Sequence, residues 1–237
     1  MSIDSLDAIL FDVFGTVVDW RSGVIREGNR VRPDVDWASF ADNWREEYQP
    51  SLDRVRQEDI PWRNLDELHR ESLDRLLEER GTELAADEAH QLNQAWHRLD
   101  PWPDVIPGLI ELRTAVLIAP LSNGHVRLLT NMAKRAGLPW DLILSSELAG
   151  HYKPDAEVYR CAVDLLDCQP AEVMMVAAHE TDLEASKLLG LRTAYVHRPE
   201  EWGHEYVGKS MPESDAYDYV VEDLEALATQ LATESIP

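Results

Sequence analysis

The sequence predicts an α/β protein: a Rossmann-like, doubly wound parallel sheet carrying an inserted helical cap subdomain. Three features point to it. A short apolar run from Ala8 to Phe11 stops abruptly at Asp12. Residues 19–100 then show helical periodicity and almost no strand signal. Beyond Pro101-Trp102-Pro103, short apolar runs alternate with helical patterns, which implies a mostly parallel sheet with helices on both faces. The expected organisation is a discontinuous core, residues 1–18 and 101–237, interrupted by a cap at 19–100.

Each element has its own signal. Ala8-Ile9-Leu10-Phe11 has the length and flanks of a buried strand, with Gly15-Thr16 as the turn beyond it. In the inserted segment Trp37, Phe40, Trp44, Tyr48 and Leu52 recur at helical spacing, as do Leu65, Leu68, Leu73, Leu76 and Leu77. Leu84, Ala89, Leu92 and Trp96 predict one more helix. Pro101-Trp102-Pro103 breaks the pattern and marks the return point. Residues 115–120 form a second apolar run, followed by Ser122-Asn123-Gly124 and a helix through Leu128, Leu129 and Met132. A short run at 142–144 follows, then a helix through Val158, Ala162 and Leu165 and a buried run at 173–178. A helix over 183–189 leads to a strand at 193–196. The tail from about Leu227 is expected to be mobile.

Composition narrows the function. The chain has 237 residues, with 45 acids against 22 Lys and Arg, for a formal charge of −23. That field repels nucleic acid and anionic membranes, so neither is an expected partner. The acidity reads first as solubility. An anionic substrate would need a local cationic site against it. Cys161 and Cys168, placed in one helix about two turns apart, are too distant for an easy disulfide, and two cysteines suit a reducing cytoplasm. Met1-Ser2-Ile3-Asp4 lacks the basic start of a signal peptide, and no apolar stretch approaches a membrane span. The expected location is the cytoplasm.

Ligands of open α/β sheets bind outside the carboxyl ends of the strands, where Asp12, Ser122 and residues 177–182 all fall. An acid after a buried strand is often only a cap or a solvated loop residue. Here Gly15 and Thr16 let the chain curl around Asp12, so the amides of Val13 and Phe14 can face an anion. Ser122-Asn123-Gly124 before a helix is a natural carboxylate or oxyanion cradle. Lys153, just before Pro154, is placed to hold or orient a nucleophilic carboxylate.

Asp12-Val13-Phe14-Gly15-Thr16, Ser122-Asn123, Lys153-Pro154 and the Asp182 segment resemble the four ordered motifs of the haloacid dehalogenase superfamily, and residues 19–100 resemble the cap of its first class. Its phosphatases resemble D-x-D-G-T in the first motif and carry a second acid in the last. Those positions are Phe14 and Ala178 here, which speaks against a magnesium site. The remaining pattern resembles the type II L-2-haloacid dehalogenases, in which an Asp displaces halide and water cleaves the resulting ester. The resemblance implies no metal and no other cofactor. It implies Asp12 as nucleophile, Thr16 orienting it, and Lys153 steadying it. Ser122 and the amides of Val13 and Phe14 would hold the substrate carboxylate. Asn123 and Arg45 would line the halide site, Tyr159 would be an active-site tyrosine, and Asp182 would position or activate water.

The chain departs from that family at Ala177-Ala178-His179, where Ser-Ser-Asn is common. His179 could activate water, since a histidine ordinarily titrates near 6.5. It could also simply bond its own loop. Arg21 and Arg26 compete with Arg45 for the anion role. Trp20, Trp37, Trp44, Trp62 and Trp96 read mainly as packing between cap helices, and His90, His97, His125 and His151 show no metal-ligand spacing. The implied partners are a small halogenated carboxylic acid and its halide product, with a homodimer plausible by resemblance. The alternatives are a strained-ring acid hydrolase using the same Asp12, a magnesium-dependent phosphatase, and a non-enzymatic binding protein.

Overall fold

The computed structural model describes residues 6–206 and 210–233. Met1-Ser2-Ile3-Asp4, on which the signal-peptide reading rests, lies outside them. Strand β1 (Ala8–Phe11) sits inside the sheet and is buried along its whole length. Ile9 and Phe11 enter the core on one face while Ala8 and Leu10 enter it on the other. Double burial is why the strand reads as a continuous apolar run rather than an alternating one.

The chain then makes a short ribbon strand β2 (Val18–Asp19) and five helices. They are α1 (Trp20–Val31), α2 (Trp37–Glu46), α3 (Tyr48–Arg56), α4 (Leu65–Glu79) and α5 (Ala86–Asn93). Side chains of Asp19, Asp36 and Asn64 cap the starts of α1, α2 and α4 by accepting backbone N–H bonds, which fixes where those helices begin. Trp37, Phe40, Trp44, Leu68, Leu73, Leu92 and Trp96 fill the space between the helices. The return strand β3 (Asp100–Pro101) pairs antiparallel with β2, so the helical segment leaves and rejoins the sheet at one place.

After β3 come α6 (Val105–Leu112), β4 (Leu117–Ser122), α7 (Val126–Ala136), β5 (Leu144–Ser145) and α8 (Ser146–Ala149). Then follow α9 (Ala156–Leu166), β6 (Val173–Ala177), α10 (Glu180–Leu188), β7 (Arg192–Val196), β8 (Tyr219–Val221) and α11 (Leu224–Thr233). The strand order is β5-β4-β1-β6-β7-β8, and every pairing is parallel. The predicted α/β sheet is therefore present, with the limits of the expected strands shifted by at most two residues. Pro120 fits inside β4 because Ile118 two residues earlier turns its N–H and C=O to Asp141, away from β1. The missing donor of Pro120 falls on that same side. Among the described residues, no helix is long and apolar enough to cross a membrane.

Two expectations fail. Cys168 is not in the helix of Cys161, because α9 ends at Leu166 and Asp167 turns left-handed at φ 55°. The tail from Leu227 to Thr233 is not a loose end, and residues 234–237 lie outside the described residues: β8 extends the sheet, and α11 packs on α6 with Leu224, Leu227, Ala228 and Leu231 buried. Asp104 anchors it by accepting the Leu224 N–H at 2.8 Å while pairing with both Arg198 Nη groups. Leu227→Ala is expected to cost ~2–5 kcal/mol of unfolding free energy in urea titration, the range for emptying a buried leucine site. A loss below ~1 kcal/mol would mean the helix is not part of the core.

Candidate active site

The carboxyl ends of β1, β4 and β6 bring Asp12, Asn123 and the 177–182 segment to one cavity of about 320 Å³. Arg45, Tyr48 and Gln49 of the helical segment close it from above, and Phe14, Lys153, Tyr159, His179, Asp182 and Trp202 complete much of its wall. Asp12 is nearly buried. Its Oδ2 accepts the Thr16 hydroxyl at 2.7 Å and faces His179 Nδ1 at 3.0 Å, while Oδ1 accepts Lys153 Nζ at 2.9 Å. Thr16 is itself oriented, since the Ala178 N–H donates to its oxygen at 2.9 Å. The turn after β1 uses Gly15 N–H, Val17 N–H and Val18 N–H internally, and none of those bonds engages the amides of Val13 or Phe14.

Lys153 spans two carboxylates, Asp12 and Asp182, and Tyr159 Oη donates to the other oxygen of Asp182 at 2.5 Å. Burial opposes the charge of Asp12, but Lys153 and His179 outweigh it and hold its carboxyl well below the usual range. Asp12 is therefore ionised at any working pH. Burial raises Asp182, and Asp12 adds to that against the pull of Lys153. One cation shared by two acids leaves the first a permanent anion and the second a better proton acceptor. His179 was expected near 6.5. Burial works against its charge, but Glu201 and Asp12 override it and push the ring up to about 10. A ring raised that far favours the imidazolium, which has no lone pair to offer water.

Asn123 Oδ1 accepts both the Ser146 hydroxyl at 2.7 Å and the Lys153 N–H at 2.8 Å, which pins the side chain at the cavity wall. Arg45 stacks over Tyr48 at 4.3 Å and lies over Trp20 at 5.5 Å, while its buried Nη1 has no hydrogen-bond partner among the described residues. A buried guanidinium N–H left unpaired beside a cavity is a ready anion site. The competitors are occupied elsewhere: Arg21 pairs with Asp42, and Arg26 with Asp100 and the Arg98 carbonyl. Ser122 is not brought into the cavity wall. It is fully buried and its Oγ accepts the Gly124 N–H, so it shapes the turn beneath the site.

The sequence reading missed Glu201, Tyr48 and Trp202 as parts of the site. Glu201 is buried in the loop after β7, where its oxygens lie 3.1 and 3.2 Å from His179 Nε2. The available signal was position alone, just past the carboxyl end of a strand. A second group lies away from Asp12. Asp66, His97 and His125, unremarkable in sequence spacing, place ligand-type atoms within 4.8 Å of one another. In that group His97 Nδ1 accepts the Asn131 amide at 3.0 Å, so Nε2 carries the proton toward Asp66 and has no lone pair for a metal.

The site and sheet define a haloacid dehalogenase-like hydrolase. A family model of that description matches residues 6–190, and the chain belongs to that family. Within it the similarity is to 2-haloacid dehalogenases. The chain is 30% identical to the (S)-2-haloacid dehalogenase 4A of Burkholderia cepacia, covering 83% of this chain and 85% of that one. A solved L-2-haloacid dehalogenase is 45% identical with a TM-score of 0.92, covering 96% of this chain and 100% of that one. The L-2-haloacid dehalogenase of Xanthobacter autotrophicus, solved with chloropropionic acid covalently bound, is 25% identical with a TM-score of 0.81 over 95% of this chain and 98% of that one.

Proposed function

We propose that the protein hydrolyses short L-2-haloacids to D-2-hydroxyacids through an ester on Asp12, with residues 19–100 acting as a cap over the site. One observation carries this reading: a carboxylate held ionised by Lys153 shares its cavity with Arg45, whose Nη1 has no hydrogen-bond partner among the described residues. The cavity thus pairs a nucleophile with an anion site of opposite charge. Asp12 attacks the halogen-bearing carbon, and halide leaves with the bonding electrons toward Arg45 and Asn123. Halide needs no proton on departure, which suits the apolar Phe14 at the cavity wall. The Val13 and Phe14 amides receive the substrate carboxylate. Asp182, whose acidity is weakened by burial, positions and deprotonates the water that cleaves the ester at the Asp12 carboxyl carbon. Attack at the chiral carbon, followed by water attack at the carboxyl carbon, inverts configuration once.

Magnesium does not fit this donor set. The two nearby carboxylates, Asp12 and Asp182, already share the Lys153 ammonium, and the neighbouring position is Ala178. A hard cation there would have to displace a buried lysine. The test is halide release from racemic 2-chloropropionate in excess EDTA, followed by chiral analysis of the product. The expected result is undiminished release with half the substrate consumed and D-lactate formed. Loss of activity with EDTA, restored by magnesium, would overturn the metal-free reading. Retained configuration would overturn the two-step displacement.

A further inference from the structure

Each ring nitrogen of His179 faces a carboxylate: Nδ1 lies 3.0 Å from Asp12 Oδ2, and Nε2 lies 3.1 Å from Glu201 Oε1. A neutral imidazole has a single N–H, so one of the two contacts would set a lone pair against an anionic oxygen. Only the doubly protonated ring satisfies both. Glu201 is built in for that task. It is buried, Trp20 Nε1 donates to its Oε1 at 3.1 Å, and Gly15 makes room for it. A Cβ at Gly15 would lie 2.2 Å from Glu201 Oε1, and the φ of +89° disfavours any other residue there as well. The other charged groups lining the two cavities that share His179 are Lys153, Asp182, Arg45, Glu46 and Arg198.

The lone pairs of Asp12 say which oxygen reacts. Oδ2 accepts from Thr16 and faces His179, while Oδ1, among the described residues, accepts from Lys153 alone. A carboxylate oxygen has two such positions, so the uncommitted one belongs to Oδ1. If Oδ1 forms the ester, Oδ2 becomes its carbonyl oxygen with two donors already aimed at it. We propose that Glu201 positions His179 as an imidazolium which, with the Thr16 hydroxyl, forms the oxyanion hole for hydrolysis of the Asp12 ester. The inference rests on the dehalogenase reading in that it requires such an ester.

The electron count closes. Asp12 Oδ1 bonds to the substrate carbon as the carbon–halogen pair departs with halide. Water adds to Asp12 Cγ, its proton passing to Asp182 and the carbonyl pair moving onto Oδ2, which Thr16 and His179 hold. Collapse breaks the Cγ–Oδ1 bond, and the alkoxide takes the proton from Asp182. Asp12, left as a carboxylic acid, releases its proton to solvent. His179 keeps both of its protons throughout.

A donor and a base respond oppositely to substitution. His179→Ala should slow ester hydrolysis ~10²–10³-fold, the scale for losing one oxyanion donor, so that the Asp12 adduct accumulates after a burst of halide. His179→Asn keeps an N–H but cannot take a proton, and should stay within about tenfold of the natural enzyme. Glu201→Gln, of the same shape, should lower kcat at little change in KM, with Glu201→Asp restoring part of it. Without substrate, NMR should find His179 titrating near 10 in the natural enzyme and well below that in Glu201→Gln, with the alkaline limb of the kcat profile moving alike. An Asn variant as slow as Ala, or faster hydrolysis in Glu201→Gln at neutral pH, would identify a neutral ring acting as base and overturn the proposal. A natural-enzyme midpoint near 6.5 would overturn it too, leaving the dehalogenase reading intact. Absence of any ester in the natural enzyme would overturn the dehalogenase reading instead.

Discussion

Asp12→Asn is expected to abolish turnover, by ~10⁴-fold or more, the scale on which removal of a covalent nucleophile is felt. An amide has the same shape but neither the charge nor the lone-pair reactivity of the carboxylate. Its oxygen should settle where Oδ2 now sits, because Thr16 and His179 both donate there. The amide nitrogen then faces Lys153, which keeps Asp182 as its other partner. The variant should still fold, with a lower urea midpoint, because Lys153 and His179 lose the anion they share. Halide release over many turnovers by a cleanly folded variant would remove Asp12 from the mechanism. Mass spectrometry separates that outcome from slow regain by deamidation.

Lys153→Met should be the most damaging single change to stability in the site. It leaves Asp12 and Asp182, both nearly buried, without the cation between them. Breaking a buried pair by removing one partner costs ~3–5 kcal/mol. The sign of the pH dependence follows from the two states. In the natural protein Asp12 is depressed, so it contributes stability above the ordinary carboxylate value and loses it in acid. In the variant that depression is largely gone and burial raises both acids, so they destabilise at neutral pH and recover on protonation. The deficit should shrink between pH 7.5 and pH 5 in urea titrations. An equal deficit at both values, or one below ~1 kcal/mol at pH 7.5, would show that Lys153 is not what holds the acids. Ester formation should slow as well, because Asp12 Oδ1 loses its only hydrogen-bond donor among the described contacts.

His179 also links the site to stability. Its value, raised from 6.5 to about 10, means its contribution is fully present below the lower figure and gone above the higher one. Between them stability should decline with rising pH, and Glu201→Gln should flatten that decline.

The sequence alone determined the class of fold and the place of Asp12 at a strand end. Residues 8–11 are apolar throughout because their strand is covered on both faces, and an acid at its end lies where such sheets bind ligands. The helical segment was legible because its buried residues repeat with the helical period, and Arg45 could be placed on one of its helices. Other features depend on partners far away in the chain, and local periodicity carries no trace of them. Glu201 reads as one more surface acid until Trp20, 181 positions away, donates to it and His179 meets it. The last helix reads as a mobile tail until α6 covers its apolar side and Asp104 caps it. Ser122 looked like a ligand because a hydroxyl at a strand end can face either way, and only packing turned it to Gly124. The charge state of His179 was the least legible of all. A ring's proton affinity is set by which carboxylates surround it in a buried space, and that is decided by tertiary structure alone.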